Sequence, residues 1–166
     1  IGAIDNDFGT PGARRHAYSL NSAEEAERFH RRLLALCARA EIADGRPVRV
    51  AIVGGGATGV ELAAELDCAA RVIASYGAQL SRLPRALAIT LVEAGPRLLP
   101  ALPEEVAASA HADLLSRGVA IRVGERVTAV AADGIAVTTP APAAGKPAAD
   151  NGRIAADVVV WAAGIR

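Results

Sequence analysis

The sequence is poor in several features that mark particular protein classes. Its 166 residues include no methionine, two cysteines and 3% aromatic residues. A chain without methionine, even at position 1, suggests a segment of a longer protein. Eighteen basic and 18 acidic residues cancel, so the basic footprint of nucleic-acid-binding proteins is missing. No apolar run approaches the roughly 20 residues that cross a bilayer, and no signal segment opens the chain. We therefore expect a cytoplasmic protein with no nucleic-acid partner.

The two cysteines, Cys37 and Cys68, are far apart in sequence. They form neither a CxxC motif nor a pair at metal-ligand spacing. We predict two reduced, partly buried thiols and no metal site.

The composition is sufficient for one buried core. Hydrophobic residues make up 52% of the chain, and this length is usual for a single domain. Gly, Pro, Asn and Asp at irregular spacing in the first twenty residues indicate a loop that arrives from another domain. We expect residues 1–21 to be a linker and residues 22–166 to be the domain.

An amphipathic helix is predicted to follow the linker. Asn21 or Ser22 caps it, with Glu25 completing a capping box. Apolar residues at spacings of three and four predict one buried stripe over about 22–42. Gly45 and Pro47 should end this helix.

The rest of the chain alternates between strands and helices. Runs 48–53, 88–93 and 119–123 have the apolar character of strands buried on both faces of a parallel sheet. Helices should begin near Ala57 and at Pro103, the latter ending at Gly118. Asp133-Gly134 predicts a hairpin, a flexible loop follows near 140–152, and ADVVVW is a last strand. This order predicts an α/β fold: a doubly wound, Rossmann-like parallel sheet with helices on both faces and a small antiparallel β-meander.

The stretch GGGATGVE joins the first predicted strand to a helix. Gly54 permits a tight turn, Gly56 allows close approach of a pyrophosphate, and Gly59 allows close helix–strand packing. Together with Gly55, Ala57 and Thr58, these residues would place free N–H groups against phosphate charge. The alternative is a strand–helix turn with no ligand.

Glu93 ends the next strand, where a carboxylate would bind the hydroxyl groups of an adenosine ribose. It lies further along than the usual spacing of about twenty residues, so we expect an insertion around residues 67–87. A carboxylate there would repel a 2′-phosphate, which favours NADH over NADPH. Arg97 could offset that repulsion or could be a solvated surface residue. Glu61 is either a helix-capping carboxylate or a residue directed towards the nicotinamide.

Several motifs together resemble one family. DFGTPGARRHAYSL, ERFHRRLL, VAIVGGGATGVELAAEL, ITLVEAGPRLLPALP and ADVVVWAAGIR are similar to the NADH-binding part of type II NADH dehydrogenases, the single-subunit NADH:quinone oxidoreductases of the two-dinucleotide flavoprotein superfamily. The resemblance implies a respiratory-chain flavoprotein whose FAD domain is interrupted by this NADH domain. It also implies a quinone acceptor, a parent peripheral on the cytoplasmic face of a bacterial inner membrane, and a homodimer as one option.

The resemblance also assigns roles to residues of this sequence. It places Gly54, Gly56 and Gly59 at the pyrophosphate, Glu93 at the ribose and Glu61 near the nicotinamide and flavin, as a catalytic residue. It places the backbone of Val127 by the adenine, and the turn Ala162, Ala163 and Gly164 beside the nicotinamide.

A whole enzyme of this kind would carry an FAD fingerprint before this segment, so the chain is expected to be an excised domain. It should bind NADH without being catalytic. Two alternatives stay open: the NAD(P)-binding domain of a flavoprotein disulfide reductase, and a non-catalytic NADH-sensing module.

Overall fold

The fold is an α/β arrangement of two sheets and a layer of helices. The computed structural model describes residues 6–43, 46–76, 86–138 and 152–164. The helices are α1 (Ala13–His16), α2 (Ala23–Ala43), α3 (Ala57–Tyr76) and α4 (Glu104–Ser116). The strands are β1 (Ala17–Tyr18), β2 (Val48–Val53), β3 (Leu87–Glu93), β4 (Ala120–Val123), β5 (Arg126–Ala131), β6 (Gly134–Thr138), β7 (Gly152–Ala155) and β8 (Val158–Trp161).

The larger sheet has the order β1-β8-β2-β3-β4, and all of its neighbouring strands are parallel. Every residue of β8 is buried, as are five of the six residues of β2. Such continuous apolar runs suit strands that are covered on both faces. The smaller sheet, β5-β6-β7, is an antiparallel meander. The predicted fold class, a Rossmann-like parallel sheet with helices and a small antiparallel meander, is confirmed. Among the described helices, the three long ones pack on one face and the four-residue α1 packs on the other, beside the meander.

Two apolar clusters show how the faces of the parallel sheet are covered. On one face, alternate strand residues such as Ile52 and Leu91 pack with α2, α3 and α4. On the other, Val53 and Trp161 pack with the meander and with Ala13 of the short α1. The long helices of the described chain therefore share one face, and the meander covers most of the other.

Part of the predicted N-terminal loop has regular secondary structure. Residues 13–16 form α1, and Ala17 and Tyr18 form β1, which pairs in parallel with β8. The N–H of Val130 donates to the carbonyl of Pro11 at 2.8 Å, and the rings of Tyr18 and Phe29 make an edge-on contact at 5.7 Å. The loop prediction is wrong for residues 13–18, because a two-residue strand is defined by its partner rather than by a local pattern.

Helix α2 begins with the predicted side-chain cap. The Ser22 hydroxyl accepts a hydrogen bond from the N–H of Glu25 at 3.1 Å. The Glu25 carboxylate accepts from the N–H of Asn21 at 3.2 Å and from the Ser19 hydroxyl at 2.6 Å. Glu25 thus anchors the chain just before the cap as well as the first turn. Gly45 lies outside the described residues.

Two predicted segments, the insertion around 67–87 and the loop near 140–152, lie partly outside the described residues. Helix α3 continues to Tyr76, and the later part of the expected insertion, residues 77–85, is not described. The loop predicted near 140–152 is likewise outside the described part, except that Gly152 is the first residue of β7. No local pattern in the sequence predicts strand β7.

The two cysteines have different environments. Cys37 is buried in α2 and Cys68 is exposed on α3, so the prediction of two partly buried thiols is wrong in detail. Burial raises the pKa of the Cys37 thiol.

Within residues 6–43, 46–76, 86–138 and 152–164, no group of three His, Cys, Asp or Glu side chains could hold a metal ion. None of the helices in these ranges is long and apolar enough to cross a bilayer.

Candidate functional site

A cleft of about 660 Å³ opens at the carboxyl ends of β2, β3 and β8, where the parallel sheet meets the meander. Open parallel sheets bind ligands at this edge because the strand-to-helix loops converge there. The lining comes from five segments: Phe8, Gly9, Thr10 and Pro11; Val53, Gly54 and Gly56; Val92, Glu93, Ala94 and Pro100; Glu125, Arg126, Val127 and Thr128; and Trp161, Ala162, Ala163 and Gly164.

Gly54 makes the sharp turn out of β2. Its φ is +113°, which side-chain-bearing residues rarely adopt. A Cβ on Gly54 would lie 2.7 Å from the backbone nitrogen of Ala163, and the Gly54 N–H donates to the carbonyl of Val92 at 2.8 Å. The turn therefore packs directly on the loops that follow β3 and β8.

Two further glycines allow close packing beneath this turn. A Cβ on Gly59 would collide with the carbonyl oxygen of Gly54, which confirms the predicted close approach of helix and strand. A Cβ on Gly55 would lie 2.6 Å from Cδ2 of Leu98. The carbonyl of Gly55 accepts a hydrogen bond from Leu99 at 2.8 Å.

Gly56 differs from these three glycines. It lines the cleft, and a Cβ built on it would meet no atom within 4 Å. Helix α3 begins at the next residue, so its first N–H groups, which lack intrahelical acceptors, lie at this point. Gly56 thus leaves open space beside a helix N-terminus, an arrangement suited to an anionic ligand.

Glu93 is the last residue of β3, as predicted, and it contacts the glycine turn. One carboxylate oxygen accepts from the N–H of Gly55 and the other from the N–H of Gly95, both at 2.6 Å. An ionised carboxylate has about four acceptor sites, so these two bonds leave capacity for a ligand. The sequence did not predict that Glu93 would orient the turn itself.

Arg97 has a structural role that neither predicted alternative described. Its guanidinium donates to the carbonyls of Leu99, Pro100 and Leu102, each at 3.0 Å. Leu99 has a φ of +49°, and Arg97 closes the loop around this strained residue. These bonds correct the interpretation of Arg97 as a solvated surface residue. The other interpretation, that its charge offsets a 2′-phosphate, stays a prediction.

The turn after β8 forms one wall of the cleft. Ala162, Ala163 and Gly164 line the cleft together with Val127. Gly164 has a φ of +76°, and a Cβ there would lie 2.8 Å from Cβ of Asn6.

Some residues of the cleft were missed from the sequence. Trp161 lines it and donates from its indole Nε1 to the carbonyl of Asn6 at 3.1 Å. Glu125 accepts from Arg122 at 2.8 Å through Oε1, and its Oε2 is buried without a hydrogen-bond partner in the described chain. Arg126 is exposed and lines the same end. No local sequence pattern predicts these positions. Glu125, for example, is held at the cleft because its N–H donates to the carbonyl of Glu93 at 3.1 Å.

Five predicted residues lie outside this lining. Gly55 and Gly59 are buried, Ala57 and Thr58 are exposed in the first turn of α3, and Glu61 is exposed further along the same helix. The structure brings Gly54, Gly56, Glu93, Val127 and the turn after β8 together around the cleft, and it leaves Glu61 at the surface.

Known proteins are similar to this chain over all or nearly all of its length. The sequence model of the pyridine nucleotide-disulphide oxidoreductase family matches residues 1–166. A type II NADH:quinone oxidoreductase of Haemophilus influenzae is 37% identical over 183 residues, covering 100% of this chain and 38% of that protein. The external alternative NAD(P)H-ubiquinone oxidoreductase B4 of Arabidopsis thaliana, a mitochondrial protein, is 30% identical over 175 residues, covering 99% of this chain and 28% of that protein.

A solved structure shares the fold. It is that of NDH2 from Plasmodium falciparum in complex with NADH, with a TM-score of 0.82 and 20% identity over 99% of this chain and 33% of that one. The chain thus spans well under half the length of each of these proteins.

Proposed function

Since the chain belongs to the pyridine nucleotide-disulphide oxidoreductase family, we propose that it is the NADH-binding domain of an FAD-dependent NADH:quinone oxidoreductase. In this proposal the cleft at the strand ends holds NADH for hydride transfer to an FAD bound by another domain of the parent protein. The sequence similarity to type II NADH:quinone oxidoreductases supports the reaction class.

The observation that carries the proposal is the open space at Gly56. Gly54, Gly55 and Gly59 are packed against other atoms, whereas Gly56 faces the cleft with no atom within 4 Å of the point that a Cβ would occupy. A backbone that approaches a pyrophosphate needs this gap beside a helix N-terminus. The residues present therefore fit a dinucleotide, which Gly56 and the first turn of α3 would hold by its phosphates.

Charge in the cleft supports NADH over NADPH. Glu93 and Glu125 both line it, and Glu93 is the residue that would accept from the ribose hydroxyls. A 2′-phosphate would meet this carboxylate at a distance where like charges repel. Arg97 does not line the cleft, and its guanidinium is held by three backbone carbonyls. Arg126, exposed at the same end, is a lining cation that could offset the repulsion.

The remaining residues would orient the nicotinamide. The FAD of the parent would accept the hydride, and this chain would fix the position from which it leaves. Ala162, Ala163 and Gly164 would pass along the nicotinamide end of the cleft, where a small turn permits close stacking. Glu61 would face the flavin domain, which is consistent with its exposure in this chain.

Calorimetric titration of the chain with NADH and with NADPH tests the proposal. We expect tighter binding of NADH, and Glu93→Ala should weaken it by about 1–3 kcal/mol because charged hydrogen bonds to the ribose are lost. Glu65→Ala is the control. It removes the same charge from an exposed position of α3 outside the cleft and should leave the affinity for both cofactors unchanged.

The contributions of Glu93 and Arg126 can be separated by a second comparison. Glu93→Ala should narrow the preference for NADH, and adding Arg126→Gln should restore part of it. Thermal unfolding of Glu93→Ala must be followed in parallel, because Glu93 also bonds to Gly55 and Gly95. Equal affinity of the unaltered chain for NADH and NADPH would show that Glu93 does not select the cofactor, and no binding of either would refute the proposed function.

A further inference from the structure

A second cleft, of about 690 Å³, lies at the β1 edge of the parallel sheet. It involves the starts of β1 and β8, whereas the first cleft lies at the carboxyl ends of the strands. The two share no lining residue. We refer to the second as the basic cleft, because six basic side chains line it: Arg14, Arg15, His16, Arg28, Arg31 and Arg32.

These side chains come from two separate elements. Arg14, Arg15 and His16 lie on α1, and Arg28, Arg31 and Arg32 lie on α2. The stretches ARRH and ERFHRRLL therefore line one cleft, beside the paired strands β1 and β8. Neither stretch lines the first cleft, at the carboxyl ends of the strands, which we call the cofactor cleft because NADH is proposed to bind there.

The positive charge is only partly balanced. Asp7 pairs with Arg14 at 2.6 Å and Glu27 pairs with Arg31 at 3.3 Å. Among the described residues, Arg15, Arg28 and Arg32 have no ion pair.

Asp157 is the one carboxylate in the lining of the basic cleft, as far as the chain is described. It is already bound by the N–H, Nε and Nη2 of Arg49, at 2.9, 3.1 and 2.7 Å. The chain has a formal net charge of zero, so the arginines of the basic cleft are a marked local concentration of positive charge.

We propose that the basic cleft binds a small molecule that carries two or more phosphate groups. Guanidinium groups present a planar fork that matches phosphate oxygens bidentately. Arginines on two elements of one concave site can contact two phosphate groups at once, and the volume is within the range of small-molecule sites. The balanced charge of the whole chain argues against a nucleic acid. The proposal is independent of the function assigned to the cofactor cleft.

Titration calorimetry with inorganic tripolyphosphate at low ionic strength tests this proposal. The unaltered chain should bind it, and Arg32→Gln should weaken the affinity by about fivefold, the range expected for an exposed ion pair. Arg39→Gln is the matched control: it makes the same charge change on an exposed residue of α2 outside the lining and should alter the affinity by less than about twofold. Equal weakening by both variants, or no binding to the unaltered chain, would overturn the proposal.

Two further experiments identify the site at which tripolyphosphate binds and distinguish a small phosphate ligand from a lipid surface. Gly56→Val, which should block the cofactor cleft, must retain tripolyphosphate binding; loss of it would place the anion in the cofactor cleft and overturn the proposal. Vesicles of phosphatidylglycerol and phosphatidylcholine are the other arm. Retention of the chain on these vesicles without any binding of tripolyphosphate would assign the arginines to a lipid surface instead.

Discussion

At the scale of single residues, Gly56 is the position where a small change should remove binding without disturbing the fold. Its Cβ position is empty and its φ lies outside the left-handed region, so valine can be accommodated by the folded chain. Its branched side chain would then occupy the space needed by a pyrophosphate. We expect Gly56→Val to lose at least about tenfold in NADH affinity and to keep its melting temperature within a few degrees. Calorimetry and thermal unfolding measure the two quantities.

Gly59 provides the contrasting variant. A Cβ there collides with the carbonyl of Gly54, a backbone atom that cannot move aside as a flexible side chain can. Gly59→Val should therefore destabilise the fold by on the order of 3 kcal/mol. If Gly56→Val unfolds as readily as Gly59→Val, or binds NADH normally, then the pyrophosphate contact has been assigned to the wrong glycine.

At the scale of the secondary-structure elements, one ion pair joins two neighbouring strands. Arg49, in β2, donates to Asp157, which precedes β8, and the N–H of Asp157 donates to the carbonyl of Arg49 at 2.8 Å. The two residues are 108 positions apart. The side-chain pair and the backbone hydrogen bond therefore fix the register of β2 and β8, two neighbouring strands that are distant in sequence.

Replacing Asp157 should weaken this junction. Asp157→Asn removes the charge and places an amide opposite the guanidinium. We expect a loss of about 1 kcal/mol in the free energy of unfolding at pH 7, less than the roughly 1.5–3 kcal/mol typical of charged hydrogen bonds, because Arg49 is partly exposed. Asp133→Asn is the control, since its ion pair with Arg153 is exposed on both sides. Urea denaturation measures the differences, and equal effects of both variants would contradict a special role for Asp157.

The same pair predicts a pH dependence. The hydrogen bond from Arg49 holds the pKa of Asp157 below its ordinary value of 3.8. A carboxyl with a lowered pKa in the folded state stabilises the fold at pH values above its unfolded pKa, and this contribution is lost as the pH falls through the folded pKa. The stability difference between the unaltered chain and Asp157→Asn should thus be constant above about pH 5 and shrink below pH 3.8. A difference that stays constant down to acid unfolding would contradict this account.

At the scale of the whole molecule, we predict that this chain binds NADH without oxidising it. Hydride transfer needs an acceptor held against the nicotinamide, and a misplacement of about 1 Å can cost on the order of a hundredfold in rate. The one dinucleotide fingerprint of the sequence is already assigned to NADH. The visible spectrum of the purified chain and NADH consumption with a soluble quinone provide the measurement. Flavin absorbance with steady consumption would mean that the glycine turn holds FAD.

The proposed role of Glu61 can be measured in the intact flavoenzyme. Glu61→Gln keeps the size of the side chain and removes its charge. If Glu61 acts beside the flavin, turnover should fall while the affinity for NADH changes little. Unchanged turnover would leave Glu61 as an acidic residue near a helix N-terminus, where charge stabilises the helix.

The sequence by itself determined the elements that have a local signature. The apolar runs of β2, β3 and β8, the capping serine of α2 and the glycine spacing after β2 are readable because side-chain periodicity and turn chemistry act over a few residues. The position of Glu93 at the end of β3 also follows from the chain order of a doubly wound sheet. These signals were sufficient for the fold class, and they also placed Gly54, Gly56 and Glu93 at one end of the sheet, where they line the first cleft.

Only the tertiary structure decided the partners of long polar side chains and of short edge strands. Arg97 closes a loop rather than facing a ligand, Glu93 holds the N–H of Gly55, and Asp157 meets Arg49 across the sheet. Strand β1 forms because it pairs with β8. Residues of both strands line the basic cleft, together with the arginines of α1 and α2. The physical reason is that a guanidinium, a carboxylate or a two-residue strand can satisfy its hydrogen bonds in many ways, and the choice is made by residues that the topology brings close.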